Sequence, residues 1–543
     1  MKKNKILTFV LCLGMMASFS ACESLDQAPQ DYFGSGNFWK DQSQASGYMV
    51  GLHAYLRGTY SSWFVMGELR NGLLGDGDDG MGTSVMGESL DNQNIIKQDL
   101  TADKAGMDNW NGLYSEIVRV NLAIQEISKT SVLTEAQKNL YLGQAYGIRA
   151  YYYYLLYTTW GGVPLVTDVA ITEGQVSAER LKRPRAKASE IMNLLKQDIT
   201  ESEKAYGAYG ADGFSNKYTW SKYATLMLKA NIYAWAATVT TDDQKATGNA
   251  DLQTAKAALQ EVINSNKFAL TPSFVQTFRT DAKSTTKEMI LAVPYNKTDN
   301  AYMPYISHCV AQEALLTAAY DKDGKHVALD NDSYGNRTLT GGLVRYQYKE
   351  TLWKAYDADD TRRDATFFVV CNNPAAPKTG SNFGILLKKF SGTYYPDEGT
   401  HRFDCDGPIF RYAEALLLMA EIENDLGGDP TPYLNKVRER AYGNTAHNFA
   451  NQGKYQNTLN ILGELDKEFV FEGKRWFALQ RMTDQAGKAL VFNADVNYLF
   501  IPGGAKKPIL SEAEAYKTLW PISIRTHTND ASIQQNPGYE EFK

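Results

Sequence analysis

Apolar residues recur at three- and four-residue steps along much of the chain, the spacing that gathers them on one face of a helix. Tyr223, Leu226, Ala230, Tyr233 and Ala237 form one such stripe, with Thr219 placed to cap it; Leu252, Ala255, Leu259, Val262 and Ile263 form the next. Thr134 with Gln137 reads as a capping box. It opens a long helix through Tyr151–Tyr154 to Trp160, which Gly161-Gly162 and Pro164 close. The spacing predicts further helices over Met107–Ser128, Ala188–Tyr206, Ile409–Leu426, Pro432–Tyr442 and Leu462–Arg481, the last with Leu462, Leu465, Phe469 and Trp476 on one stripe. The result is a mostly α chain of about eight helices in antiparallel pairs, with Ala and Tyr at the close contacts. The pairing is tetratricopeptide-like, although the ~34-residue period of that repeat is not clean. Between Lys267 and Gly407 the periodicity breaks: Met289–Val293 reads as a strand, and the rest as loops rich in Gly, Asn and Asp. An irregular, loop-rich insertion of about 140 residues inside a helical scaffold is where binding loops are expected.

The N-terminus carries an address. Lys2, Lys3 and Lys5 precede an apolar run from Ile6 to Met16, and the small residues of Ala17–Ala21 lead to Cys22. This is the pattern of a lipoprotein signal cleaved before Cys22, and the apolar run is shorter than the ~20 residues a spanning helix needs. No other stretch is long and apolar enough to span a bilayer. The expected organisation is a signal peptide over 1–21, a lipidated tether over 22–40 and a single body over 41–543. Within the body, the scaffold covers about 105–266 and 409–482, and the insertion about 267–407. Acyl chains on Cys22 would hold that body at a membrane.

Composition narrows the function classes. Of 543 residues, 43% are hydrophobic and 22% charged, which is globular; the formal charge of −6, without a block of like charges, leaves no footprint for nucleic acid. The 34 Tyr residues suit helix–helix seams as well as flat, polar ligands. Once the signal is removed, Cys309, Cys371 and Cys405 remain beside Cys22. Their odd number and lack of C-x-x-C spacing exclude a zinc ribbon or a disulfide framework. Either a Cys371–Cys405 bridge or three buried thiols fits. No H-E-x-x-H, G-x-S-x-G or Walker motif occurs, and the His residues are scattered, so neither a metal nor a cofactor is implied. Asp76–Gly80 and Asp330–Gly335 have the acidic flavour of calcium loops, but each ends on Gly (Gly87, Gly341) where a bidentate Glu is needed. A glycosidase's paired carboxylates leave no local signature, and 62 acidic residues always supply some pair, so that reading carries no weight.

Several segments resemble one family. The lipoprotein start, Arg149-Ala150-Tyr151-Tyr152-Tyr153-Tyr154 with Trp160-Gly161-Gly162-Val163-Pro164, and Leu181-Lys182-Arg183-Pro184-Arg185 are similar to the SusD/RagB outer-membrane lipoproteins. So are Asp360-Thr361-Arg362-Arg363, Phe410-Arg411-Tyr412-Ala413-Glu414-Ala415 through Glu421, and Leu434-Asn435-Lys436-Val437-Arg438-Glu439-Arg440. Phe469-Val470-Phe471-Glu472-Gly473-Lys474-Arg475-Trp476, Trp520-Pro521 and Gln535-Asn536-Pro537-Gly538 complete the series, in order along nearly the whole chain. Leu465 and Ala478 depart from the family's habit, in a scaffold helix. Arg411, Glu414, Glu421 and the charges around Gly473 read as structural ion pairs between helices.

The resemblance implies a non-catalytic, cell-surface protein at the outer membrane. It would capture oligosaccharides and hand them to a SusC-like TonB-dependent transporter, on which it sits as a lid. A peptide-binding RagB-type member and a helical docking scaffold are the alternatives; a glycoside hydrolase is disfavoured. The family places ligand contacts on N-terminal and insertion loops. The candidates here are Trp63, Phe64, Glu68, Arg70, Asp78 and Asp79, with Tyr302, Tyr305 and His308 from the insertion, and the Asp321–Tyr356 loops as the fallback. Trp110 with Tyr114 reads as core.

Overall fold

The computed structural model describes residues 38–75, 84–107, 110–169, 182–327, 342–375, 382–499 and 506–542. It opens on a helix that the apolar spacing does not signal, α1 (Gln42–Trp63), whose Gly47, Gly51 and Gly58 blur its stripe. The Asp41 carboxylate accepts from the Gln44 amide at 2.9 Å and caps it. The other end of α1 runs into a single π-helical turn over Phe64–Glu68.

The scaffold follows as α2 (Asn111–Lys129), α3 (Glu135–Trp160), α4 (Ala188–Tyr209), α5 (Lys222–Thr238) and α6 (Asn249–Asn264). Beyond the insertion come α7 (Tyr412–Asp425), α8 (Thr431–Tyr442), α9 (Lys454–Glu468) and α10 (Arg475–Arg481). Each helix from α2 to α9 packs on the next, including α6 on α7 across the whole insertion. The mostly helical, tetratricopeptide-like arrangement is therefore observed, with the insertion spliced between two stacked neighbours. The capping box at Thr134 and Gln137 is present, and Tyr151–Tyr154 are all buried in the seams of α3.

Besides shifts of a few residues at helix ends (α2 starts at Asn111, not Met107, and α4 runs on to Tyr209), three boundaries differ from the sequence reading. Ser221, not Thr219, caps α5, while the Thr219 hydroxyl turns to Asn216. Ile409–Arg411 is not helical: Gly407–Arg411 forms strand β6, antiparallel to β1 (Met289–Val293), and the pair closes the base of the insertion. The β-branched and aromatic side chains there fit a pleated, fully buried surface better than a helix turn. The stripe over Leu462–Arg481 is two helices, because Phe471 and Gly473 both take positive φ (64° and 67°) and turn the chain between α9 and α10. Among its described residues the rest of the insertion holds two further antiparallel pairs, β2 (Phe367–Cys371) with β3 (Phe383–Leu387) and β4 (Thr393–Tyr395) with β5 (Thr400–Arg402).

The motifs that run through the sequence meet in space. Arg185 donates to the Gly162 carbonyl at 2.6 Å and the Trp160 carbonyl at 3.0 Å. The Asn536 amide reaches the same Trp160 carbonyl at 3.2 Å and that of Trp520 at 2.7 Å. Deeper in, Arg411 pairs with Glu288 (2.5 Å), Glu472 (2.7 Å) and Glu468 (3.1 Å). Arg440 reaches Glu468 at 2.6 Å, Arg362 reaches Asp360 at 2.6 Å, Lys389 reaches Glu472 at 2.5 Å and Arg438 reaches Glu464 at 2.8 Å. These side chains are buried almost throughout, and the basic and acidic members are equal in number, so the network is electrically balanced. Glu414 pairs with Lys474 (2.9 Å) and Glu421 with Arg481 (2.7 Å), the interhelical role expected of them. Cys309, Cys371 and Cys405 are separate buried thiols, so no Cys371–Cys405 bridge forms.

Candidate functional site

The π-turn at the end of α1 explains where four of the candidate residues go. It brings Gly67 so close to the turn after α9 that a Cβ there would stand 2.2 Å from the Gly473 carbonyl oxygen, so only glycine fits. The neighbouring Glu68 carboxylate is 1% exposed. It accepts from the Tyr348 hydroxyl (2.6 Å), the Gly473 amide (2.9 Å) and the Phe471 amide (3.0 Å). Burial pushes its pKa up against these donors. Arg70 is fully buried, its guanidinium 4.0 Å from the Trp476 ring centroid and 5.2 Å from that of Trp520. It donates to Gln98 at 2.6 Å and to the carbonyls of Lys517 and Thr518, and burial draws its pKa down to about 9. Trp63 lies between Tyr151 and Phe477, with its Nε1 donating to the Tyr151 hydroxyl and the Lys474 ammonium 5.2 Å from its ring. Trp63, Phe64, Glu68 and Arg70 thus face the interior, each polar atom matched within the protein. They form the floor beneath a face and do not line it.

The face itself is built from three segments around residues 84–98, 302–309 and 342–348. Backbone bonds lace them together: Arg345 and Tyr346 donate to the His308 carbonyl at 2.7 and 2.9 Å, and Asp91 to the Arg345 carbonyl at 3.0 Å. Tyr305 is half-buried and stacks on Phe64, ring centroids 4.4 Å apart and planes 15° apart. Its φ of +64° is unusual for a residue with a Cβ, a strain that local packing holds in place. His308 sits 6.1 Å from the Tyr305 ring and 6.0 Å from Tyr346, and its Nδ1 is buried without a hydrogen-bond partner. Asn92, also at positive φ (50°), donates to the Tyr346 hydroxyl. Arg345 donates to the Ser89 carbonyl at 3.1 Å and stands 3.5 Å from Glu88; both of these charged side chains are partly exposed. Burial raises the phenol pKa of Tyr305 and of Tyr346. A half-open aromatic platform with an imidazole and an amide nearby can hold the C–H face of a ligand while bonding its polar edge.

The structure therefore brings Tyr305 and His308 together over Phe64. Tyr302 turns elsewhere, its ring 5.2 Å from the Arg402 guanidinium. Asp78, Asp79, the two acidic loops at Asp76–Gly80 and Asp330–Gly335, and Cys22 lie outside the described residues. Among the described residues no cluster of His, Cys, Asp and Glu could hold a metal ion, and no helix is long and apolar enough to cross a membrane. Trp110 is core, edge-on to Trp160 at 5.6 Å. Asn92, Arg345 and Tyr346 were not singled out by the sequence reading, although Arg345 and Tyr346 fall within the fallback loops over 321–356. The only local signal at Asn92 is the run Asp91-Asn92-Gln93-Asn94, whose short side chains tolerate left-handed backbone.

Comparison with known proteins places this geometry. Residues 231–539 match the SusD family, and residues 75–241 match a family described as starch-binding and associating with the outer membrane. A solved SusD superfamily protein from Bacteroides fragilis is 30% identical, covers 93% of this chain and 100% of its own, and superposes with a TM-score of 0.80. NanU from the same species is 31% identical over 94% of this chain and 100% of its own, with a TM-score of 0.76. SusD-like protein P38 of Formosa agariphila is 25% identical over 99% of both chains.

Proposed function

The chain belongs to the SusD family, and from that premise we propose that it is a lipid-anchored, cell-surface protein that captures oligosaccharides and passes them to a SusC-like TonB-dependent barrel as its lid. The observation that carries the binding part is the half-buried Tyr305 ring, backed by Phe64, with His308, Tyr346 and Asn92 following it in contact sequence. Sugar rings offer flat C–H faces and a hydroxyl rim, the complement of such a surface. The reading assigns no residue a catalytic task and needs no cofactor; Tyr305, backed by Phe64, forms the platform, and the polar side chains orient the ligand.

Tyr305→Ala is expected to weaken binding of whichever oligosaccharide scores on a glycan array by about ten- to hundredfold. Its melting temperature should stay within a few degrees of wild type, since the ring is only half-buried. Unchanged affinity would move the site elsewhere, and a protein that bound peptides but no glycan would replace the ligand class. For the anchor at Cys22, radiolabelled palmitate should label the protein in cells, and a barrel transporter should accompany it out of membranes in mild detergent. An unlabelled protein, or one recovered alone, would overturn the lid reading.

A further inference from the structure

The Phe64 ring beneath the platform touches three other rings. Tyr305 stacks on it, Tyr346 meets it edge-on at 5.2 Å, and Phe471 leans on it at 5.0 Å. Phe471 does so from a left-handed backbone (φ +64°), a conformation that a bulky side chain disfavours and that its surroundings must hold. Glu68, four residues after Phe64, supplies the hold. Its Oε1 accepts both the Phe471 amide (3.0 Å) and the Tyr348 hydroxyl (2.6 Å), and its Oε2 accepts the Gly473 amide (2.9 Å). One carboxylate oxygen thus ties Phe471 to Tyr348, and Tyr346 lies two residues from Tyr348 on the same segment. Of the three rings around Phe64, Glu68 fixes one directly and a second through its near neighbour.

A carboxylate is a costly way to fill this place. Burial works against its charge and pushes the pKa up, in spite of the three donors and the field of the Lys389 ammonium. What the carboxylate supplies is geometry. It accepts at two oxygens and offers no donor, whereas Gln would turn an NH2 group toward one of the donors. Donors from two distant segments, around Tyr348 and around Phe471–Gly473, converge on that single group. We propose that Glu68 is a positioning residue of the Tyr305 platform: it touches no ligand, yet through Phe471 and the Tyr346–Tyr348 segment it sets the seat on which the Tyr305 ring lies.

The role rests on the reading that Tyr305 carries the ligand, and its test keeps the two apart. 3-Fluorotyrosine placed at position 305 alone in the full chain reports the ring stack by fluorine NMR, with no ligand present. Glu68→Gln should move that resonance toward the value of free fluorotyrosine. Its melting temperature should stay within a few degrees of wild type, because Gln relieves the buried charge as it breaks the clamp. Tyr348→Phe, which removes one donor and keeps the carboxylate, should move the resonance the same way by less, and it decides alone if Glu68→Gln does not fold. Titration with maltohexaose, cellohexaose and mannohexaose adds the affinity. Any of these that loses affinity in Tyr305→Ala should lose about tenfold in Glu68→Gln. The double variant should bind no more weakly than Tyr305→Ala, because both changes act on one contact. If none of the three binds, the resonance alone decides. A Tyr305 resonance unmoved in every variant that folds, or affinity losses that add in the double variant, overturns the positioning role. A resonance that moves while glycan binding ignores Tyr305→Ala upholds that role and moves the ligand site elsewhere.

Discussion

Arg411→Met should lose about 3–5 kcal/mol of folding stability in urea or thermal denaturation, if it yields soluble protein at all. The guanidinium is fully buried and pairs with Glu288, Glu468 and Glu472. Removing it leaves their charges in the interior with too few cations, and the cost is that of uncompensated buried charge more than of the lost pairs. Lys297→Ala, which breaks surface pairs with Asp397 and Glu398, should be indistinguishable from wild type. A pH series adds a second check. Burial alone would raise Glu468, but Arg440, Arg411 and Arg362 override it and hold the carboxyl well below its usual range; Arg411 and Lys389 do the same for Glu472. A carboxyl depressed in the folded state contributes stability that is complete above its unfolded pKa and is lost as pH falls through the folded value. Stability of the wild type should therefore fall below about pH 4, and less steeply in Arg411→Met. A variant within 1 kcal/mol of wild type would mean that the network is dispensable.

Trp63→Ala should behave as a core truncation, costing about 3–5 kcal/mol and lowering the melting temperature sharply. The indole fills the space between Tyr151 and Phe477, donates to the Tyr151 hydroxyl and lies under the Lys474 ammonium, so its loss leaves both a cavity and an unmatched phenol. This is the reverse of the Tyr305→Ala signature, in which affinity falls and stability holds. Calorimetry on the two variants side by side distinguishes floor from face. If Trp63→Ala keeps its melting temperature and loses ligand, the indole is a contact and the assignment of the floor fails.

The helical scaffold is legible in the sequence because its signals are local. Thr134 and Gln137 satisfy backbone amides within one turn, and Met289–Val293 is short, apolar and bounded, so both are read correctly from neighbours alone. Where an element depends on a distant partner the pattern misleads. Ile409–Arg411 belongs to a strand only because Met289–Val293 lies beside it, more than a hundred residues away. The stripe from Leu462 to Trp476 looks continuous because both helices bury the same side, while the turn between them rests on Gly473 and a left-handed Phe471. At the site, aromatic and charged residues between Trp63 and Arg70 have the composition of a sugar-binding surface. Composition cannot tell a charge that awaits a ligand from one matched inside the protein, and Glu68 and Arg70 are of the second kind. Tyr305 and His308 were visible as types; that they would meet Arg345 and Tyr346 was not, because only backbone pairing across the insertion brings them together.

The Glu68 clamp also orders events in time. Its carboxylate closes on Tyr348, 280 residues downstream, and on the amides of Phe471 and Gly473, more than 400 residues downstream. Contacts so distant in sequence carry a large loop-closure penalty and form late. A chain made from its N-terminus can stack α2 through α6 from one continuous stretch. The Glu68 carboxylate, by contrast, lacks two of its three donors, the amides of Phe471 and Gly473, until nearly all of the polypeptide has been synthesised. The floor beneath the proposed ligand face is therefore completed late, and a chain truncated before Phe471 would carry most of a scaffold with Glu68 short of two of its donors.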